Sequence, residues 1–251
     1  MGAVIFSDVH ADARAICALA TCLRTPLFRR SFGEIDLLVN LGDLVHRGDH
    51  PKEALEKIHT LASEYRLVSV LGNHDHAFLH GLTVSGSDPA SMYRHEQLRD
   101  SPLLSIFDTM PMEWVDGKVL YVHGGPLDLG TQTLRLKCWQ RLSHQSGDFY
   151  SGYHYTAEMA FNALEARDLT HMVCGHQHTN ICCRKTPGGI QELPLVFKPL
   201  PWVPSDDNLR LEVATVPLDV PTLFRVGGCH GETPEFAFTD YSTFSFIRIL
   251  Q

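Results

Sequence analysis

The stretch Val4-Ile5-Phe6-Ser7-Asp8-Val9-His10 joins an apolar, β-branched-rich run to two side chains that can bind metal ions. The stretch Leu37-Leu38-Val39 lies in the same way ahead of Gly42-Asp43. A short apolar run of this kind is typical of a buried strand in a sheet that is covered on both faces. The two stretches therefore predict buried strands of an α/β fold, each ending at a potential metal ligand.

Three further segments repeat this order of an apolar run followed by polar side chains. The polar parts of these segments are Gly72-Asn73-His74-Asp75, His123-Gly124-Gly125 and Gly175-His176-Gln177-His178. Open α/β sheets bind ligands beyond the carboxyl ends of their strands, so we expect all five segments to converge. The sequence thus predicts one site that gathers two Asp, one Asn and several His.

The ligand types in these segments indicate which ions the site binds. Carboxylate, amide oxygen and imidazole together suit Mn, Fe, Zn and Mg. Cysteine is absent from the segments, which argues against a closed structural zinc site. Asp43 follows a glycine at a strand end, so its carboxylate can approach closely and bridge two ions. Two ions ~3.5–4 Å apart form the clamp used for phosphoryl hydrolysis.

The composition is that of a globular chain without a membrane segment. Of the 251 residues 44% are hydrophobic, and no apolar run approaches the ~20 residues that span a bilayer. The start of the chain lacks the basic region and apolar core of a signal peptide. The seven cysteines are scattered, which favours free thiols in a reducing compartment. We therefore expect a cytoplasmic protein that does not bind membranes.

The formal net charge is −8, and this excess of acidic groups bears on the partner. It disfavours a large nucleic acid, whose phosphates would be repelled. A phosphorylated small molecule, dinucleotide or phosphopeptide remains compatible, because bound divalent cations reverse the local field. The sequence leaves the oligomeric state open.

The first half of the chain alternates strand and helix patterns, which predicts parallel strands with right-handed crossovers. Helices are expected at residues 11–23, 52–64, 90–100 and 155–166, and residues 81–89 are expected to form a loop. A hairpin is expected around Asp116-Gly117, and residues 170–174, 211–216, 222–226 and 243–249 are predicted strands. We expect one domain over residues 1–251, whose second half adds a second sheet. Residues 129–152 have no clear pattern and could form a cap over the site.

The five segments, in this order, resemble the calcineurin-like metallophosphoesterase family. The family pattern is D-x-H, G-D, G-N-H-[DE], H and G-H-x-H, and the matching segments run from Asp8 to His178. The resemblance implies a four-layer α/β/β/α sandwich of two mixed sheets flanked by helices. It also implies two divalent cations, with Mn²⁺, Fe²⁺ or Fe³⁺, Zn²⁺ and Mg²⁺ as the options and Mn²⁺ as the ion expected to support activity in vitro.

The resemblance implies a role for each matching residue. One cation would be held by Asp8, His10, Asp43 and His178, and the other by Asp43, Asn73, His123 and His176. His74 would protonate the leaving group or stabilise charge on the phosphoryl oxygens, and Asp75 would orient His74. Asn73 would also contact substrate.

The segment Gly42-Asp43-Leu44-Val45-His46-Arg47-Gly48 resembles the G-D-x-V-[DA]-R-G pattern of the protein serine/threonine phosphatase and bacterial diadenosine tetraphosphatase branch. In that branch the arginine binds phosphate, so the resemblance assigns substrate binding to Arg47. The chain departs from protein phosphatases at His46, where they carry Asp, and at Leu71, where they carry Arg. The second phosphate clamp of protein phosphatases is therefore missing from this motif.

These features predict a dinuclear phosphohydrolase in which hydroxide held by metal attacks a phosphomonoester or phosphoanhydride. Two alternatives remain open: a phosphodiesterase acting on cyclic nucleotides or nucleic-acid ends, and a scaffold that keeps the fold without catalysis.

Several aromatic residues precede the last predicted helix. They either pack internally or form a wall for a ring of the substrate. They are Trp139, Phe149, Tyr150, Tyr153 and Tyr155.

Overall fold

The computed structural model describes residues 2–86, 88–201 and 209–250. The start Met1 and the residue Ser87 of the predicted 81–89 loop lie outside the described residues. Within the described ranges the chain forms sixteen strands. In chain order they are β1 Gly2–Phe6, β2 Ile35–Asn40, β3 Arg66–Ser69, β4 Glu113–Asp116, β5 Val119–Val122, β6 Arg141–Leu142, β7 Gly147–Phe149, β8 Gly152–Tyr155, β9 His171–Cys174, β10 Ile181–Thr186, β11 Gly189–Glu192, β12 Lys198–Pro199, β13 Arg210–Pro217, β14 Thr222–Arg225, β15 Glu235–Thr239 and β16 Thr243–Leu250.

Six α-helices and three short 3₁₀ helices connect these strands in the described ranges. The α-helices are α1 Ala13–Arg24, α2 Pro26–Phe32, α3 Pro51–Glu64, α4 Asn73–His80, α5 Pro89–Glu96 and α6 Ala157–Glu165. The 3₁₀ helices are Pro102–Thr109, Thr133–Arg135 and Lys137–Trp139. No helix of the described ranges has the length and apolar character required to cross a bilayer.

Two mixed sheets form the centre of the molecule. The first has the strand order β12-β13-β16-β15-β1-β2-β3 and the second the order β11-β10-β14-β9-β5-β4. Strands β1, β2 and β3 run parallel to one another, as do β5, β9 and β14. A third, three-stranded sheet has the order β6-β8-β7. The parallel strands of each large sheet therefore present their carboxyl ends at one edge.

The two large sheets face each other across an apolar layer. Ile5 and Val39 of the first sheet are fully buried there with Phe224 of the second, and Val173 is nearly so. The other face of the first sheet is covered by α1, α2 and α3, and the other face of the second by α6. Alternate residues of each strand point to opposite faces, which is why both faces are apolar. The predicted four-layer α/β/β/α sandwich is confirmed.

The strands of the first sheet come from both halves of the chain, which differs from the prediction that the second half only adds a second sheet. Strands β13, β15 and β16 come from the second half, yet they pair within the first sheet, with β15 antiparallel to β1. The second half therefore completes the first sheet as well as contributing to the second. Strand β15 was not predicted; it pairs with β16, which follows it directly, and with β1, which lies more than two hundred residues earlier.

Helix boundaries follow capping chemistry. The predicted 11–23 helix begins two residues later because the Asp12 carboxylate accepts hydrogen bonds from the N–H groups of Arg14 and Ala15. The predicted 90–100 helix ends at Glu96. The unpredicted helix α2 starts with Pro26 and is capped by Thr25, whose hydroxyl accepts from the Phe28 N–H. The seven cysteines form no disulfide, and all except Cys17 are buried.

Candidate metal centre

The five polar segments meet at the shared edge of the two sheets. Asp8 follows β1 and Asp43 follows β2, and their loops are joined by the hydrogen bond from the Asp8 N–H to the Gly42 carbonyl, 2.9 Å. The Gly175 N–H donates to the His123 carbonyl at 2.9 Å. The His176 N–H donates to Oδ2 of Asp8 at 2.9 Å, which ties the two sheets together. The predicted convergence is therefore a feature of the backbone as well as of the side chains.

Asp8, His10 and His178 form the first cluster of potential ligands. Nε2 of His178 lies 3.2 Å from Oδ1 of Asp8 and 3.0 Å from Nε2 of His10. Asp8 is completely buried, and its Oδ1 atom has no hydrogen-bond partner in the described residues. A buried carboxylate oxygen without a donor is costly, so this geometry fits a cation.

Asp43, His123 and His176 form the second cluster, with Asn73 beside it. Nε2 of His123 lies 3.3 Å from Oδ2 of Asp43, 3.1 Å from Oδ1 of Asn73 and 3.1 Å from Nδ1 of His176. Nδ1 of His123 lies 2.7 Å from the Leu41 carbonyl and must donate to it. The opposite nitrogen, Nε2, is thereby turned toward the cluster.

The electrostatics of the second cluster favour a positive charge at its centre. Burial opposes protonation of His123, but the Asp43 carboxylate raises the pKa of that imidazole to about 9. A single proton on Nε2 can serve only one of the three acceptors around it. A divalent cation in its place would be coordinated by all of them, and binding would release the proton.

Asp43 connects the two clusters. Its Oδ2 atom lies 3.3 Å from Nε2 of His123 and 3.8 Å from Nε2 of His10. Its Oδ1 atom accepts a hydrogen bond from the His74 N–H at 2.8 Å, which fixes the carboxylate. One carboxylate oxygen thus faces both groups of ligands, the placement that a bridging ligand requires. Carboxylate, amide and imidazole donors without cysteine fit the divalent cations expected from the sequence.

The loops that carry these ligands have an unusual backbone. In the described residues, ten non-glycine residues have positive φ, and eight of them lie in the ligand-bearing loops. Such conformations each cost on the order of 1 kcal/mol or more and persist only where the surroundings enforce them. The eight are Asp8, His10, Ala11, Asp43, His46, Arg47, His176 and His178.

Two motif glycines permit the close approach of neighbouring loops. A Cβ atom at Gly72 would overlap Oδ1 of Asp43, and one at Gly175 would overlap the Ser7 hydroxyl. Because the obstructing atoms belong to buried loops, any larger side chain would push the ligand-bearing segments apart.

His74 and Arg47 lie together beside the clusters. Nη2 of Arg47 lies 3.2 Å from Nε2 of His74, and since a guanidinium can only donate, Nε2 of His74 accepts. Burial lowers the pKa of His74 to about 4, so the ring is neutral at pH 7 and carries its proton on Nδ1. A ring nitrogen of His74 lies within 4.8 Å of ligand atoms of His10 and Asp43. Both side chains therefore lie next to the candidate metal ligands.

The expected contact between Asp75 and His74 is wrong. The Asp75 carboxylate accepts hydrogen bonds from the N–H groups of Asp43 at 2.7 Å, Leu44 at 2.8 Å and Gly72 at 3.1 Å. Nδ1 of His74 has no hydrogen-bond partner in the described residues. Asp75 is the third residue of α4, where a carboxylate folds back over free N–H groups at the helix start. It therefore shapes the Gly42-Asp43 loop instead of orienting the imidazole.

A cleft of about 380 Å³ opens beside the clusters. Arg47, Asn73 and His74 line its base together with Arg141, which sequence reasoning missed. Arg141 starts β6 within residues 129–152, and its Nε donates to the Ser151 carbonyl at 2.9 Å. The sequence offers no signal for this position of Arg141 other than the presence of an arginine in a stretch without a clear pattern. The cleft thus contains a second guanidinium, which comes from outside the sequence motif.

The aromatic residues of the same stretch divide into two groups. Tyr155 is fully buried and its hydroxyl donates to the Gly124 carbonyl at 2.7 Å. Trp139 is mostly buried, whereas Tyr150 is 96% exposed at the rim of the cleft. Tyr155 and Trp139 therefore pack internally, whereas Tyr150 does not.

The chain belongs to the calcineurin-like phosphoesterase family, whose model matches residues 1–180. It is therefore a metal-dependent phosphoesterase, as the motifs predicted. A search among curated proteins finds no match.

Solved structures show the same fold at low sequence identity. A metallophosphoesterase from Sphaerobacter thermophilus is 21% identical with a TM-score of 0.65, covering 99% of this chain and 88% of the other. A cold-active protein-tyrosine phosphatase of a psychrophilic Shewanella is 15% identical with a TM-score of 0.58, covering 100% and 80%. A protein serine/threonine phosphatase from Saccharomyces cerevisiae is 13% identical with a TM-score of 0.52, covering 93% and 82%.

Proposed function

We propose that this chain is a dinuclear phosphohydrolase that cleaves phosphomonoester or phosphoanhydride bonds. The observation that carries the proposal is the position of Oδ2 of Asp43, which faces His10 in one cluster and His123 in the other. One cation would be held by Asp8, His10, Asp43 and His178. The other would be held by Asp43, Asn73, His123 and His176.

When bound, the pair of divalent cations supplies an activated water nucleophile and offsets charge on the phosphoryl oxygens. The residues of the chain hold the substrate in line with that nucleophile. Arg47 and Arg141 bind phosphoryl oxygens through their guanidinium groups, and the amide of Asn73 helps to orient them. His74 donates its ring proton as a hydrogen bond where negative charge develops in the transition state.

The two arginines favour a terminal phosphate over a diester. A monoester or a terminal anhydride phosphate carries more negative charge and more free oxygens than a diester. It can therefore accept more hydrogen bonds from two guanidinium groups. Residues 129–152, which contribute Arg141, would then act as the cap expected from the sequence. The substrate would be a phosphorylated small molecule, dinucleotide or phosphopeptide. A cytoplasmic location and a single domain over residues 1–251 stay predictions.

Metal content and activity together test the proposal. The wild-type protein, prepared without chelator and supplied with Mn²⁺, is expected to bind two ions and to hydrolyse p-nitrophenyl phosphate faster than bis-p-nitrophenyl phosphate. Asp43→Asn is expected to weaken the binding of both ions, whereas Asp8→Asn is expected to weaken the binding of one. Preference for the diester would favour the phosphodiesterase alternative. A wild-type protein that binds no transition metal would support the scaffold alternative.

A further inference from the structure

The walls of the cleft differ in chemistry from its base. The base presents Arg47, Asn73, His74 and Arg141, which are suited to phosphate. The exposed part of the lining includes Tyr150, Leu134 and Leu82 beside polar side chains such as Thr83 and Thr133. Tyr150 is 96% exposed, Leu134 39% and Leu82 38%. Three exposed apolar side chains around one charged base indicate a ligand with a phosphate at one end and an apolar group at the other.

Tyr150 occupies a turn that is firmly anchored. It lies between β7 and β8, where Phe149 pairs with Gly152. Nε of Arg141 donates to the carbonyl of Ser151, the next residue, at 2.9 Å. The Ser151 hydroxyl also lies 3.1 Å from Nε2 of His154. One set of contacts therefore positions both a guanidinium at the base of the cleft and an aromatic ring at its rim.

The Tyr150 ring is almost completely in solvent, at the turn between β7 and β8. A tyrosine held on an ordered turn offers a rigid flat face at low cost in conformational entropy. The neighbouring Tyr155 is fully buried, and Trp139 is mostly buried although it also lines the cleft. The chemistry complementary to an exposed ring of this kind is another planar ring.

We propose that the substrates of this site carry a planar aromatic ring as well as the scissile phosphate, and that the ring stacks on Tyr150. The inference rests on the proposed phosphohydrolase function. Arg47 and Arg141 hold the phosphate while Tyr150 binds the ring. Nucleoside phosphates and aryl phosphates such as phosphotyrosine share this chemistry, whereas alkyl phosphates such as glycerol 3-phosphate lack it. Tyr150 is thus assigned as a specificity-determining residue.

The test compares AMP, phosphotyrosine and glycerol 3-phosphate by phosphate release in the presence of Mn²⁺. The wild type is expected to prefer at least one of the ring-bearing substrates. Stacking of a base on an aromatic side chain implies that Tyr150→Ser raises KM for that substrate roughly 5- to 100-fold. In Tyr150→Ser, kcat for that substrate should stay unchanged. Both kcat and KM for glycerol 3-phosphate should also stay unchanged. Tyr150→Phe should behave as wild type, because it keeps the ring.

A matched control is Tyr93→Ser, which removes another exposed tyrosine, on α5 and outside the lining of the cleft. It should leave all three substrates unaffected. A binding readout independent of turnover is Tyr150→Trp, whose added fluorescence should be quenched by AMP or phosphotyrosine but not by glycerol 3-phosphate.

Each outcome separates this inference from the function on which it rests. If the wild type hydrolyses all three phosphates equally and Tyr150→Ser changes none of them, the ring inference is overturned while the phosphohydrolase stands. If Tyr150→Ser slows all three alike, the turn has a general role and the inference is again overturned. If the wild type hydrolyses no phosphate although it binds two Mn²⁺ ions, the proposed function fails. Preference for AMP or for phosphotyrosine identifies which source of the ring the cleft accepts.

Discussion

Nε2 of His230 lies 3.0 Å from Nδ1 of His178. Nε2 of His178 faces Asp8 and His10, so a cation held there would leave the proton of His178 on Nδ1, where it would be donated to His230. The backbone on either side of His230 is fixed, because the Cys229 N–H donates to the Ser7 carbonyl at 2.8 Å and the Gly231 N–H donates to Asp12 at 2.9 Å. His230 therefore holds one potential metal ligand in the correct tautomer and orientation.

Substitution His230→Ala is expected to weaken binding of the cation at the Asp8, His10 and His178 cluster by roughly 10- to 100-fold. Binding at the other cluster should be unchanged. His230→Gln should recover part of the affinity, because its amide oxygen can accept from Nδ1 of His178. Calorimetric titration with Mn²⁺ and the electron paramagnetic resonance signal of the coupled ion pair measure the effect. His59→Ala, which removes a distant histidine bound to one carbonyl, is the control; equal affinities in all variants would contradict the prediction.

Asp75→Asn is expected to destabilise the protein, since a buried carboxylate that accepts four backbone hydrogen bonds is replaced by a group with one acceptor oxygen. The expected loss in free energy of unfolding is roughly 1.5–3 kcal/mol. Urea denaturation in the presence of EDTA measures this without a contribution from bound metal. Unchanged stability with a large fall in kcat would instead restore the idea that Asp75 orients His74.

His74→Asn is expected to lower kcat by roughly 10²- to 10⁴-fold while both cations still bind. The imidazole lies beside the clusters and the cleft, so its removal takes away a hydrogen-bond donor without removing a bridging ligand. Metal analysis of the purified variant and steady-state kinetics with a phenyl monoester check the two parts separately. Loss of one ion from the variant would show that His74 is itself a ligand.

Arg141→Ala is expected to raise KM for a monoester about 10-fold, with little change in metal content, because a guanidinium pairing with phosphate contributes on the order of 1.5 kcal/mol. Arg141→Lys should not restore the wild-type KM, since an ammonium lacks the planar fork. Arg99→Ala, which removes an exposed arginine paired with Glu96, is the control. An unchanged KM for Arg141→Ala would remove this residue from the substrate site.

Glu113 is expected to make stability depend on pH. Burial raises the pKa of Glu113, but its hydrogen bonds with Arg167 and Lys137 outweigh this and leave the pKa below its usual range. A group with a lowered folded-state pKa stabilises the protein above its unfolded pKa of about 4.3, and that stability is lost as the pH falls toward the folded pKa. The stability difference between wild type and Glu113→Gln in EDTA should therefore be largest near pH 7 and shrink below pH 4. A difference that stays constant with pH would contradict this.

The sequence was informative where local pattern and chemistry coincide. Strand β1 and Asp8, or β2 and Asp43, lie within a few residues of each other, so an apolar run and the ligand after it could be recognised together. The chemistry of His178 was likewise visible in its motif. What the sequence could not show depends on contacts between distant segments. Asp75 binds N–H groups some thirty positions earlier, and Arg141 reaches the cleft only because a small sheet places it there.

The same limit applies to the first sheet. The pairing of β15 with β1 is set by packing of the whole sandwich, since Phe236 and Phe238 are buried in the layer beneath α2. No period or motif in residues 235–239 identifies β1 as the partner. Periodicity predicts that a segment is a strand more readily than it predicts which strand lies beside it.

Strand β1 lies between β2 and β15. Strand β2 follows β1 closely in the sequence, whereas β15 lies near the other end and is synthesised much later. During synthesis on the ribosome, one edge of β1 therefore stays open long after the residues of both ion clusters have emerged. Such an edge can pair with other chains, so the nascent protein is open to misassociation until residues 235–250 follow. Refolding should be slow for the same reason, because the central pairing closes a loop of more than two hundred residues.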